Sequence, residues 1–344
     1  MSMSWRFRVS GLSIESDAPI PGLRSSEFTG DPDVCVRMHG TASTPRACND
    51  AAVWYLSPYS DERNLPLLTI HVVGSRFLLS YAEGMTFLIN ASGSAIDAWW
   101  PPPLTDADAA DYLLGSVLAF VLRLRGTVPL HASAIVIDER AIVFAGAPGA
   151  GKSSTAAAFA RLGHPVLSDD IVVIADEDGV IMAHPSHGHL SVWPDTAQGL
   201  FASESLPQHS AVYPKHRVDL IERGYPFRDS AVPIDAICIL GRRSPGARSA
   251  IVRSLRPHHA LVALVGQTYS NYLLDRTMRE REFDLLGRAV DAVRVVEVSF
   301  GDRLDDLVLS CQALALQFAT SAHERRSAET DEASVQQPAS RDLR

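Results

Sequence analysis

Cysteine is scarce in this chain: four in 344 residues, at Cys35, Cys48, Cys238 and Cys311, with no CxxC pair. That scatter argues against a thiolate metal site and against a disulfide framework. Long hydrophobic runs are also missing. The longest apolar segment, residues 112–124, is broken by Gly115, Ser116 and Arg123. It is too short to cross a bilayer, so no membrane partner is expected. The first nine residues carry arginines without an apolar core. No signal peptide is read there, and the default location is cytoplasmic. Positive charge is in deficit, with 31 Lys and Arg against 40 Asp and Glu and a net charge of −9. General nucleic-acid binders show basic stripes, so nucleic acid is not an expected partner. No internal repeat is present.

What remains is the composition of an ordinary globular protein, 46% hydrophobic and 21% charged. The length suits two domains and a substantial core. Residues 1–100 read as β-rich. Runs at 5–9, 34–38, 67–73, 76–81 and 85–90 are short and rich in β-branched or aromatic residues, and turn pairs such as Gly74-Ser75 and Glu83-Gly84 separate them. The last three form a meander. Residues 18–45 are otherwise loop-like, and no catalytic constellation is visible in this part, which reads as a scaffold or substrate-docking module. Pro101-Pro102-Pro103 marks a boundary, because a proline run resists helix and sheet. A helix is predicted from a cap at Thr105 to about Arg125, stopped by Gly126. Leu113, Leu114, Val117, Leu118, Val121 and Leu122 recur on one face as core.

The strongest signal follows. Residues 144–158 read FAGAPGAGKSSTAAA and contain Gly146-x-x-x-x-Gly151-Lys152-Ser153, the phosphate-loop pattern. Glycines let backbone N–H groups turn toward phosphate oxygens, and a helix start adds its positive dipole end. Lys152 carries charge to the β and γ phosphates, and the Ser153 hydroxyl suits Mg²⁺. The context fits, since AIVFA at 141–145 reads as a buried strand and 153–162 as a helix stopped by Gly163.

Around this loop lie further candidates. Residues 128–137 (VPLHASAIVI) read as a strand carrying His131, joined by a turn to the strand feeding the loop. After the helix, strands are predicted at 165–168 and 171–175, with Asp169 and Asp170 between them. Adjacent carboxylates among apolar residues are costly without a purpose. Their mutual repulsion favours a bound metal or a shared proton. His184, His187 and His189 are close in sequence, but the glycine and proline around them suggest a loop rather than a metal cage. Lys215, His216 and Arg217 make 213–220 locally basic, open either to solvent or to phosphate contact. Arg242 and Arg243 read as surface residues. A buried strand at 234–240, helices at 260–266 and 269–290, a strand at 293–299 and an amphipathic helix at 304–318 complete the ordered part. From Ser321 onward no apolar periodicity is left, and 321–344 reads as a disordered tail.

The strand with LHAS, the hairpin, GAPGAGKS, the short helix and Ser168-Asp169-Asp170 together resemble the catalytic domain of HPr serine kinases, whose fold is related to phosphoenolpyruvate carboxykinase. The wider pattern is similar to the HPr-kinase-like lasso peptide kinases. RGTVPLHAS at 125–133 follows a β-rich region, and a PxxxxLxxW-like segment stands at 185–193. The resemblance covers about 109–220. It implies an α/β fold (α+β mixed) with a P-loop HPr-kinase-like catalytic domain at 105–320, preceded by a smaller β-rich domain at 1–100. It implies ATP and Mg²⁺ as cofactors. Gly146, Ala147, Pro148, Gly149, Ala150, Gly151, Lys152, Ser153 and Ser154 would hold the nucleotide; Lys215 and Arg217, from their local charge alone, are candidate added phosphate contacts. Ser153 and Asp170 would ligate Mg²⁺, Asp169 would accept the proton of the acceptor hydroxyl, and His131 would assist. No glutamate stands between Pro185 and Trp193, where those kinases place a second metal ligand, and their distinctive C-terminal loop is not evident. HPr itself is therefore not the expected substrate. The implied activity is phosphorylation of a peptide serine, the C-terminal serine of a lasso precursor peptide. A kinase for another protein or small-molecule hydroxyl, or a nucleotide switch without transfer, stays open, as does a homo-oligomer.

Overall fold

The computed structural model describes residues 4–42, 44–45, 51–201, 206 and 215–335. Cys48, residues 213–214 of the basic segment and residues 336–344 of the expected tail lie outside them. The chain is a mixed α/β protein with several sheets. The first sheet contains β1 (Trp5–Val9), β2 (Leu12–Ser16), β3 (Val34–Gly40), β4 (Ala52–Leu56), β5 (Leu68–Val73), β6 (Arg76–Tyr81), β7 (Thr86–Asn90) and β8 (Ala95–Trp99). Their order is β1-β2-β3-β8-β7-β6-β5-β4. The predicted meander is present as the antiparallel ladder β5–β6–β7. β2, β4 and β8 carry too little continuous apolar character to be read from sequence.

The inner face of this sheet is closed by a helical segment. α1 (Asp106–Tyr112) starts in a capping box between Thr105 and Asp108. The predicted single helix is interrupted: residues Leu113–Val117 form a π turn, with Gly115 at φ −93°, ψ −110°, before α2 (Leu118–Leu124) resumes. Glycine tolerates that break where a larger residue would resist it. Leu113, Val117, Leu118, Val121 and Leu122 pack with Ile14, Ile70, Leu79 and Phe87 of the sheet. Ile171 and Val173, from a strand of the second sheet, belong to the same core.

The second sheet is built on the hairpin β9 (Val128–Ile137) and β10 (Arg140–Ala145), turned through Asp138 and Glu139 at positive φ. α3 (Lys152–Arg161) follows, then β11 (Val166–Ser168), β12 (Ile171–Glu177), β13 (Val180–His184), β14 (His189–Val192), α4 (Pro194–Phe201), β15 (His216–Asp219), β16 (Val232–Leu240), β17 (Ile251–Ser254), α5 (Pro257–Val265), α6 (Arg276–Ala292), β18 (Arg294–Ser299) and α7 (Leu304–Val335). The pairings β10–β9, β9–β12, β12–β13, β13–β16 and β16–β10 make a closed circuit. β18 extends it parallel to β16, and β17 edges it. Alternation along the strands sends Phe144, Cys238 and Val296 toward α3 and α7, and Val143, Ile237 and Val295 toward α5 and α6. A buried ion pair, Arg123 to Glu282, ties α2 to α6.

Two predicted spans are corrected. Residues 269–275 are not α-helical. A short 3₁₀ turn occupies Asn271–Leu273, and α6 begins after Asp275, whose carboxylate accepts from Met278 N. The expected disorder from Ser321 gives way to helix through Val335. Ala, Glu and Arg, which favour helix, make up 8 of the 15 residues of 321–335. Cys35, Cys238 and Cys311 are free thiols.

Candidate functional site

β10 delivers the chain to the glycine loop, and α3 begins at its far end. Gly149 (φ 80°) and Gly151 (φ 102°) are left-handed, which lets the loop turn its backbone inward. Ala147, Pro148 and Gly149 are exposed, whereas Lys152 is 7% exposed. Its ammonium donates to Gly146 O at 2.9 Å and Ala147 O at 3.2 Å. Burial lowers the Lys152 pKa, offset in part by the charges of Asp170 and Asp169. Ser153 makes no side-chain hydrogen bond among the described residues, so its hydroxyl is uncommitted. Ser154 is engaged elsewhere, with Thr196 Oγ1 of α4 at 2.7 Å.

The two acids occupy a break between β11 and β12, which run in succession along the same strand, β9. Register decides their neighbours: Ile171 pairs with His131 and Ser168 with Ala134. Asp169 is 1% exposed and both its oxygens are taken. Ser133 Oγ donates to Oδ1 at 2.6 Å, and Ser191 N to Oδ2 at 3.0 Å. Asp170 is half-buried in the left-handed region (φ 68°), a conformation that tends to mark functional positions. Its Oδ1 lies 3.4 Å from His131 Nε2, and the Tyr269 hydroxyl donates to Oδ2 at 3.4 Å. Burial pushes the Asp170 pKa up, but the hydrogen bond with His131 and the nearby charge of Lys215 outweigh it, and the net direction is down. Asp169, the expected proton acceptor, is thus buried with one hydrogen bond to each of its oxygens. Asp170 is the acid that faces open space.

β14 and β15 form a separate ribbon in which Ser191 faces Arg217. His187 and His189 stack with ring centroids 3.7 Å apart. Arg217 Nη2 lies 3.1 Å from His189 Nδ1, and Lys215 Nζ sits 5.5 Å above the Trp193 ring. Burial lowers the pKa of both His187 and Arg217. His184 points elsewhere, 2.9 Å from Glu177. Among the described residues no group of three His, Cys, Asp or Glu could hold a metal, so the three histidines are not a cage. Ser153 and Asp170 offer oxygen donors, the chemistry that Mg²⁺ prefers.

A cavity of about 660 Å³ opens beside Asp170, lined there by His187, Ser191, Lys215, Arg217 and Tyr269. Its other walls come from the first sheet and the helical segment, including Tyr55, Tyr59, Tyr81 and Tyr112. The glycine loop does not line it. The structure thus brings together Asp170, His131, Lys215 and Arg217, with Lys152 in the same electrostatic field and Asp169 behind them.

Sequence reading missed three participants. Arg243, read as a surface residue, reaches the loop: a Cβ at Gly151 would stand 2.9 Å from its Nη2, while Nη1 donates to Gly301 O at 3.0 Å. Tyr269 was assigned to a helix. Ser133 was detectable, because it sits two residues after His131 and so shares its face of β9.

No helix among the described residues is long and apolar enough to cross a membrane. No family model matches the chain, and no curated protein matches it either. Among solved structures the chain is similar to the HPr(Ser) kinase/phosphatase from Coxiella burnetii, at 12% sequence identity and a TM-score of 0.30, over 59% of this chain and 98% of that one.

Proposed function

We propose that the chain is an ATP- and Mg²⁺-dependent kinase with an HPr-kinase-like P-loop core, acting in the cytoplasm on a serine hydroxyl of a peptide. On the sequence resemblance at 125–133 and 185–193, the acceptor is the C-terminal serine of a lasso precursor peptide. One observation carries the kinase reading. A buried lysine in a glycine loop shares its field with Asp170, a left-handed carboxylate that opens on a cavity outside the loop.

On this reading each residue has a role. The loop and Lys152 hold the β and γ phosphates, and Arg243 adds charge from the far side. Ser153 and one Asp170 oxygen are the donors suited to Mg²⁺, which when bound neutralises phosphate charge. The acceptor hydroxyl donates to Asp170. As its oxygen bonds to the γ-phosphorus, the bond from that phosphorus to the bridging oxygen breaks, ADP departs, and the hydroxyl proton passes to Asp170 or His131. Phosphoryl transfer asks mainly for positioning and charge stabilisation. Asp169, fixed by Ser133 and Ser191, holds the turn that presents Asp170.

Incubation with ATP, Mg²⁺ and serine-terminated peptides, read by mass spectrometry, tests the proposal. Phosphopeptide is expected from the wild-type chain and not from Asp170→Asn, which still binds nucleotide. ATP hydrolysis with no phosphorylated product, or undiminished transfer by Asp170→Asn, would overturn it.

A further inference from the structure

We infer that the free edge of β4 is the docking strand for the acceptor. An extended peptide adds to the first sheet there and lowers its hydroxyl residue into the tyrosine-walled cavity in front of Asp170. This rests on the kinase reading and specifies how that site takes its peptide.

β4 is the last strand in its sheet and pairs with β5 alone among the described residues. An unpaired edge offers backbone donors and acceptors to an added strand. Natural edges are commonly guarded by lysine, proline or a bulge. β4 reads AVWYL, with neither lysine nor proline, and a bulge between Val53 and Tyr55 is its one guard. Val53 and Leu56 of the strand are 59% and 56% exposed, and Tyr272, which packs against Tyr55 beside the cavity, is 48% exposed. Exposed apolar surface of that kind suits an interaction site.

The edge and the cavity are continuous. Tyr55 of β4, then Ser57, Pro58 and Tyr59, line the cavity whose other end is Asp170. A small molecule filling the cavity would leave the apolar rim and the strand edge unused, whereas an extended polypeptide engages both. Lys215 and Arg217 at the Asp170 end favour an acceptor with a carboxylate close to its hydroxyl. Strand addition supplies affinity through main-chain hydrogen bonds, and pockets for alternate side chains supply selectivity.

The full chain is tested against a library of short synthetic peptides that contain serine among alternating apolar residues, by fluorescence anisotropy without ATP. Each binder is remade with alternate backbone amides N-methylated. The expected result is binding that falls roughly tenfold or more on methylation, because the strand hydrogen bonds are removed. The same loss is expected in a Val53→Lys/Leu56→Lys variant, since edge lysines block pairing. That variant keeps wild-type affinity for a fluorescent ATP analogue, which reports its folding. In a second readout, bound peptide raises hydrogen-exchange protection of the β4 amides. Equal affinity for methylated and unmethylated peptides, equal binding by wild type and variant, or a library with no binder would overturn the inference. Peptide binding with no phosphate transfer would instead remove the kinase reading and leave the docking strand standing.

Discussion

Asp169 and Asp170 are adjacent in sequence and opposite in circumstance. The first is sealed between a serine hydroxyl and a backbone amide, and the second stands at the cavity with His131 and Tyr269. Replacing Asp170 by Asn should lower phosphotransfer about 100-fold or more, the scale of general-base help, with nucleotide affinity little changed by calorimetry. Ser133→Ala should act on stability instead. It leaves a buried carboxylate oxygen without its donor, at a cost of about 1–3 kcal/mol, measurable by urea unfolding. The acid limb of stability carries a further signature. The Asp170 pKa is lowered in the folded chain, so its contribution is complete above the ordinary value of 3.8 and is lost as pH falls through the lower folded value. The stability gap between wild type and Asp170→Asn should therefore close in acid below about pH 3.8. A gap that stays constant down to the acid transition would show that the shift is absent.

At the scale of elements, the glycine loop depends on Gly151. Any side chain there needs a left-handed backbone, at about 1–2 kcal/mol, and meets Arg243 as well. Gly151→Ala should weaken ATP binding in calorimetry, and adding Arg243→Ala should relieve the collision without relieving the backbone strain. The hairpin β9–β10, the loop and α3 were legible because glycine spacing, strand runs and helix formers agree over one continuous stretch. The site was legible only in part. Asp170 and His131 meet through a strand register, which follows from pairing between segments far apart in sequence. The hydrogen bonds of Asp169 with Ser133 and Ser191 depend on the same three-dimensional pairing. β2, β4, β8 and β17 escaped because short strands at sheet edges, or packed by distant partners, have weak local patterns. Arg243 reaches Gly151 from the turn after β16, and no local pattern marks an arginine in such a turn.

For the whole molecule, packing crosses the proline run at 101–103. The helical residues after it and Ile171 and Val173 of β12 share one core with the first sheet. A chain begun at Pro101 would expose that core. It should bind the dye ANS and lose its cooperative melt, while the full chain should unfold in one transition by calorimetry. Two independent transitions, with a folded fragment from Pro101, would contradict this. The shared core also has a mechanical side. Ile171 is anchored among the side chains of the first sheet, and the residue just before it is Asp170. Whatever presses on that sheet has a lever one peptide bond long on the Asp170 carboxylate.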